Sequence, residues 1–225
     1  MGKRFTAEQT RVPKRPRNLG RPKDPALEAR RRKEILAAAT ALFAERGFAN
    51  VQVQTIADRL GVGNGTVYRY FATKDELFLS AVERGLRELE AELDAVLADP
   101  AVGPVDQIAA AVTTYLRFFA RRPEMAELFV QERAAFPKHH RPLYFSDTDR
   151  DEARKCQHQQ LFAALVAGGR LRAIPAERFF NVVGDLLYGT ILTNLLTGRP
   201  ADPESQAADM LDVIFHGVLR PEGER

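Results

Sequence analysis

Residues 47–78, GFANVQVQTIADRLGVGNGTVYRYFATKDELF, hold two short helical patterns separated by a glycine-rich turn and followed by the start of a third. Val53, Ile56, Ala57 and Leu60 stand at i, i+3, i+4 and i+7, which gathers four apolar side chains on one helix face. Gly61 can adopt the left-handed conformation that ends such a helix. Gly63 or Asn64 caps the next one, whose Val67 and Phe71, four apart, point inward while Thr66, Arg69 and Tyr70 point away. Thr73-Lys74-Asp75-Glu76 has the S/T-x-x-E spacing of a capping box, so a long helix opens at Leu77 and Phe78. A helix, a turn and a second helix with polar and aromatic side chains left outside make a device for reading DNA.

Outward from this stretch, prolines, glycines and aspartates punctuate the chain into further helices. Asp24-Pro25 is an N-cap followed by proline at the first helical position; it opens a helix whose Ile35, Ala39, Leu42 and Phe43 face inward and which stops at Gly47. The helix from Thr73 runs through Leu86, Leu89, Leu93, Val96 and Leu97 to a break at 100–104. Val105, Ile108, Val112, Tyr115, Leu116 and Phe119 mark the next, and Pro123 starts a shorter one that ends before Pro137. A polar loop over 137–147 leads to a helix that closes at Gly168-Gly169, and Pro175 and Asp202-Pro203 start the last two, ending near Gly198 and Leu219. No segment keeps the alternation of a strand, so the expected fold class is all-α. The expected domains are an N-terminal arm over 1–23, a three-helix helix-turn-helix domain over 24–72, and a larger helical domain over 73–225, joined to the reader by the long helix.

The 225 residues suffice for one small and one larger domain without metal or disulfide support. Their net charge of +3 hides an asymmetry: residues 1–74 carry 16 Lys and Arg against 6 Asp and Glu, while the rest carries 17 against 24. The end that suits a polyanion is the N-terminal third. Within it, residues 1–23 have almost no apolar periodicity and read as an extended, disordered arm, in which Arg17, Arg21 and Lys23 are candidate minor-groove contacts. Gly20-Arg21-Pro22 has the core of an AT-hook, a flat segment that lays an arginine in the minor groove, although a plain linker or electrostatic tail meets the same composition. One cysteine, Cys156, excludes an intrachain bridge and suits a reducing cytosol. No apolar segment follows the charged start MGKRFTAEQT, and no run approaches the roughly 18 apolar residues of a membrane span. The expectation is a soluble, cytoplasmic protein without a membrane partner.

From Ile35 to Leu77 the motifs LFAERGF, TIADRLGV, GTVYRYF and TKDEL follow in order. In these the chain resembles the DNA-binding domain of the TetR (AcrR-like) family of bacterial transcriptional regulators. The resemblance implies a homodimeric, ligand-responsive regulator, first of all a repressor, on a near-palindromic double-stranded DNA operator. Carried over residue by residue, it implies base-edge contacts from Asn64, Thr66 and Arg69, with Arg69 suited to guanine and Asn64 to adenine. It implies phosphate contacts from Gln54, Tyr68, Tyr70 and Lys74, the last at a helix start where backbone amides also face the anion. Two positions depart from the family pattern. Val53 stands where Thr or Ser is frequent, which removes a capping hydroxyl for which Gln52 or Gln54 can substitute, and Gly63 stands where Ser is usual.

The same resemblance implies an apolar ligand cavity in the larger domain, for which Tyr115, Phe119, Phe129, Arg133, Phe162, Tyr188 and Asn194 are candidate contacts, although aromatics at helical spacing serve equally as core. The ligand expected is small and largely apolar. The last two helices carry more apolar surface than one small domain readily covers, and the resemblance places a two-fold, four-helix dimer interface there. Leu187, Ile191, Leu195, Leu211, Ile214, Phe215 and Val218 are its candidates; ordinary packing within one chain is the other reading. No HExxH, GxSxG, CxxC or P-loop occurs, and His139, His140, His158 and His216 lack metal-ligand spacing, so no catalytic, metal or cofactor site is expected. The alternatives to a ligand-responsive repressor are an activator, a ligand-independent DNA-binding regulator, and a small-molecule enzyme with an attached reader.

Overall fold

The structure, a computed structural model, describes residues 24–99, 101–137 and 149–216. Those residues form nine helices and no strand: α1 (Pro25–Arg46), α2 (Val53–Arg59), α3 (Asn64–Tyr70), α4 (Lys74–Leu97), α5 (Pro104–Arg121), α6 (Pro123–Ala135), α7 (Asp149–Ala167), α8 (Ala176–Thr197) and α9 (Pro203–His216). The arm residues Arg17, Arg21 and Lys23, the pair His139 and His140, and Val218 lie outside the described residues.

Local chemistry accounts for the boundaries. Asp24 accepts the Ala26 N–H at 3.0 Å, with Pro25 at a position that has no need of a donor. Thr73 Oγ1 accepts the Glu76 N–H at 3.0 Å, and Glu76 returns a carboxylate oxygen to the Ala72 N–H at 2.7 Å. The capping box thus closes one residue before the cap itself.

The core runs without interruption from the reader into the rest of the chain. α1 contributes Ile35, Leu42 and Phe43, α2 Ile56, and α3 Val67, all essentially inaccessible. α4 completes this cluster with Leu77, Phe78, Ala81 and Val82, so its first turns belong as much to the reader as to the larger domain. Each such fully buried large side chain contributes about 1.5–3 kcal/mol. Phe48 and Phe136 join Phe43 and Phe78 in one aromatic cluster, with ring centroids 4.9 to 5.9 Å apart. Farther along α4, Gly85 lets α6 approach until Met125 lies against bare backbone; a Cβ there would sit 1.9 Å from Met125 Cε.

α8 corrects one expectation. By length and composition, Ala176–Thr197 is apolar enough to cross a membrane, with a mean hydropathy of 1.3 over 18 residues, and only 17% of that window is buried within the chain. The run escapes a search for unbroken apolar sequence because Asn181, Asp185 and two glycines interrupt it. Val182, Leu186 and Leu196 stay uncovered, 40 to 72% exposed.

Candidate nucleic-acid interface and the cleft behind it

The turn between α2 and α3 is set by backbone bonds. Gly61, at φ +65°, donates to the Asp58 carbonyl at 3.1 Å, and Val62 donates to the Ala57 carbonyl at 3.0 Å, the paired bonds of a Schellman motif. Gly63 is the N-cap of α3, without a side-chain bond. Val67 and Phe71 anchor α3, which turns Tyr68 and Arg69 to solvent and leaves Thr66 half-exposed. Tyr70 departs from its expected outward direction: its ring is half-buried against the core while its hydroxyl reaches the surface, where Arg69 Nη2 donates to it at 3.1 Å and the guanidinium lies 5.0 Å from the ring centre. Asn64 turns Oδ1 inward, where it meets no hydrogen-bond partner. Its amide therefore gives up no protein hydrogen bond at that oxygen by rotating outward. Gln54 is exposed beside α3, its amide donating to Asp58 at 2.6 Å.

Lys74 departs furthest from expectation. Its ammonium donates to the carbonyls of Phe48 (2.9 Å), Ala49 (3.4 Å) and Val51 (3.2 Å) and lies 4.4 Å from the centre of the Phe48 ring. Three protons meet three carbonyls of the loop between α1 and α2, which leaves none for a phosphate in this arrangement. The same loop is held from α6, where Gln131 Oε1 accepts the Phe48 N–H at 2.9 Å and Nε2 donates to the Phe43 carbonyl at 3.0 Å. Sequence periodicity could not reveal Gln131, since it lies more than 80 residues from its partners.

Residues 35–81, which include this whole helix-turn-helix, match the profile described as "Bacterial regulatory proteins, tetR family". Over these residues the chain carries the DNA-binding module of the TetR family. It is 34% identical over 99 residues to an uncharacterized HTH-type transcriptional regulator of Mycobacterium tuberculosis, covering 44% of this chain and 48% of that one. It thus spans about half the length of the first curated relatives it matches. The HTH-type transcriptional repressor KstR2 of Mycolicibacterium smegmatis aligns over 91% of this chain and 98% of its own length at 22% identity. The crystal structure of the transcriptional regulator FadR from Bacillus subtilis in complex with stearoyl-CoA shares the fold, with a TM-score of 0.62 at 16% identity over 83% of this chain and 99% of that one.

The cavity candidates divide. Tyr115, Phe119, Phe129 and Tyr188 line one crevice between α5, α6 and α8, nearly closed at about 10 Å³. Asn194 and Phe119 line an adjoining open cleft of about 320 Å³ that ends at the turn after α8. Phe162 is elsewhere, packed on Phe179 and Phe180 with centroids 5.1 and 6.0 Å away. Arg133 is exposed at the end of α6, where it donates to the Pro137 carbonyl at 3.3 Å. Neither lines either space. A third cleft, about 430 Å³, separates α1 from α4 and α6 and is lined by Thr40, Arg84, Gly85, Glu88, Arg122 and Met125 among others.

The dimer candidates also divide by face. Leu187 and Ile191 turn into the chain's own core, and Leu195, Leu211, Ile214 and Phe215 are half-buried against it. On another face lie Val182, Leu186 and Leu196 of α8, with Val213 of α9 also exposed. The physical reason is that α8 must cover α5 and α6, which takes the larger share of its leucines and isoleucine.

Proposed function

We propose that this TetR-family protein is a cytoplasmic transcriptional repressor that binds a near-palindromic operator as a homodimer and releases it when a small, largely apolar ligand enters the larger domain. One observation carries the reading. α6 walls the crevice through Ala126, Phe129 and Val130, and the same helix holds the loop next to the reader through Gln131. A ligand that parts the crevice therefore acts on a helix bonded directly to the DNA-reading unit. The repressor assignment of KstR2 and the stearoyl-CoA complex of FadR support a repressor with an apolar ligand.

In this reading Asn64, Thr66 and Arg69 meet base edges, Gln54, Tyr68 and Tyr70 meet phosphates, and Arg17, Arg21 and Lys23 of the arm follow the minor groove. Lys74 acts instead as a strut for the loop between α1 and α2. The reader is residues 24–72, completed by the first turns of α4. Dimerisation uses the uncovered face of α8 and α9, because one seven-residue recognition helix contacts too few base pairs to select a site and two at fixed spacing are needed. The role is binding, not turnover. Ligand tilts α4, alters the separation of the two readers, and shifts affinity only by as much as it prefers the released state; a hundredfold loss needs about 2.8 kcal/mol of preference.

The test is a binding titration of the full chain against DNA from upstream of its own coding region and against random duplex. Affinity at least about a thousandfold higher for one site, with two half-sites protected one helical turn or a multiple apart, is expected. Equal affinity for every duplex would remove the repressor assignment.

A further inference from the structure

The crevice and the open cleft are one path. Phe119, Ala126, Ile191 and Leu195 line both, so a chain lying in the cleft leads between α5, α6 and α8. Its walls are apolar except at the outer end, where Asn194 and Arg199 stand. Asn194 is held by three hydrogen bonds: Nδ2 donates to Gln206 Oε1 at 3.1 Å, and Oδ1 accepts from Gln206 Nε2 at 3.0 Å and from Arg199 Nε at 2.9 Å. The last bond orients the guanidinium and leaves its two terminal nitrogens side by side. Every arginine on the neighbouring stretch of α5 and its end is already paired, Arg117 with Glu204, Arg121 with Glu92 and Arg122 with Glu88. Arg199 makes no ion pair among the described residues. It is an exposed cation, oriented by Asn194 at the mouth of an apolar slot and without a counter-charge among the described residues.

We infer that this path takes an anionic amphiphile, an unbranched acyl or alkyl chain with a carboxylate or phosphate head, the head forked on the terminal nitrogens of Arg199 and the chain directed past Phe119 and Ile191 into the crevice. The inference rests on the ligand-responsive reading above and adds to it the class of ligand and the residue that selects it. A guanidinium with its Nε engaged presents an end-on pair of donors, which matches two oxygens of one carboxylate or phosphate. The chain supplies the rest by burying methylenes, each about 0.8 kcal/mol. Because the crevice holds only about 10 Å³, a chain that enters must separate α8 from α5 and α6, and α6 passes that movement to Gln131.

Calorimetric titration of the full-length protein with dodecanoate, dodecyl phosphate, dodecanol and acetate, all kept below micelle formation, tests this. Dodecanoate or dodecyl phosphate should bind at least about tenfold more tightly than dodecanol, with acetate not detected. Whichever anion binds more tightly assigns the head as carboxylate or phosphate. Arg199→Gln should bring the anion and the alcohol to the same affinity, and Arg199→Lys should retain part of the difference, both with melting curves that verify the fold. Equal binding of dodecanoate and dodecanol to the wild type, an unchanged preference in Arg199→Gln, or no binding by any of the four would overturn the inference. Specific DNA binding measured on the same preparation separates the two claims: a protein that selects an operator but takes none of the probes remains a regulator with a ligand of another class.

Discussion

Lys74 has three protons to give, and three carbonyls of one loop receive them. The resemblance implies a phosphate contact there, and the position at the start of α4 allows one, but a lysine stem long enough to reach DNA is also long enough to fold back. The two roles separate by experiment. Lys74→Met strands three carbonyls and should cost about 1–3 kcal/mol in a denaturant melt, leaving the dependence of DNA affinity on salt unchanged. A stability-neutral variant whose salt slope falls by about 1 would restore the phosphate role. Arg69 carries the opposite expectation, since it is exposed and, among the described residues, anchored only by Tyr70. Arg69→Ala should leave the melting point unchanged and relax base preference at one operator position by ~1–3 kcal/mol, read from a randomised-site library; a uniform loss on all sequences would move it to the phosphate group. Val67 and Phe71 were legible as inward residues from spacing alone. The half-burial of Tyr70 was not, because an amphipathic ring satisfies an inward and an outward position at once.

At the scale of helices, the starts of α1, α4 and α9 follow from side-chain caps and those of α5 and α6 from proline, whereas the joints between helices follow from neither. Gln131 reads in sequence as one more polar residue on a helix, and its two bonds to the α1 end depend on how α6 crosses α1. Gln131→Leu should remove both bonds and expose the Phe48 amide, raising its hydrogen-exchange rate and that of its loop while amides of α8 stay protected. Unchanged exchange at Phe48 would remove Gln131 from the coupling. A second joint lies at Glu88, which accepts from Arg84 at 2.9 Å and from Arg122, linking α4 to the turn before α6. Partial burial pushes the Glu88 carboxyl up, and the hydrogen bonds and charges of Arg122 and Arg84 more than reverse this, so its pKa lies below the ordinary 4.5. A carboxyl lowered by folding stabilises the fold fully above 4.5 and loses that contribution as pH falls through the lowered value. Wild type and Glu88→Gln should therefore differ in melting temperature near neutral pH and converge in strong acid. A constant difference down to about pH 2 would show that the carboxylate charge is not the stabilising element.

For the whole molecule, the uncovered face of α8 and α9 makes the decisive prediction. Leu186→Asp changes a residue already 40% exposed in one chain, so the subunit should keep its fold while sedimentation shifts to a monomer and operator binding is lost. Leu187→Asp, one residue on, places a carboxylate in the subunit's own core and should cost several kcal/mol of folding stability, seen as a lower melting point. If both variants stay dimeric, or if the wild type sediments as a monomer at micromolar concentration, the dimer lies on another face or does not exist. The amino-acid order alone was enough for the all-helical class, the caps of α1 and α4, the left-handed glycine stop at Gly61 and the reader's inward Val67 and Phe71. All of these depend on neighbours within a few positions, where period and capping chemistry act directly. Which leucines of α8 face inward, what Lys74 and Gln131 hold, and where Arg199 meets an apolar slot depend on helices brought together from across the chain. Packing chose among faces that the apolar pattern of α8 left nearly equivalent, because a helix apolar on most sides carries no period to say which side the core will take.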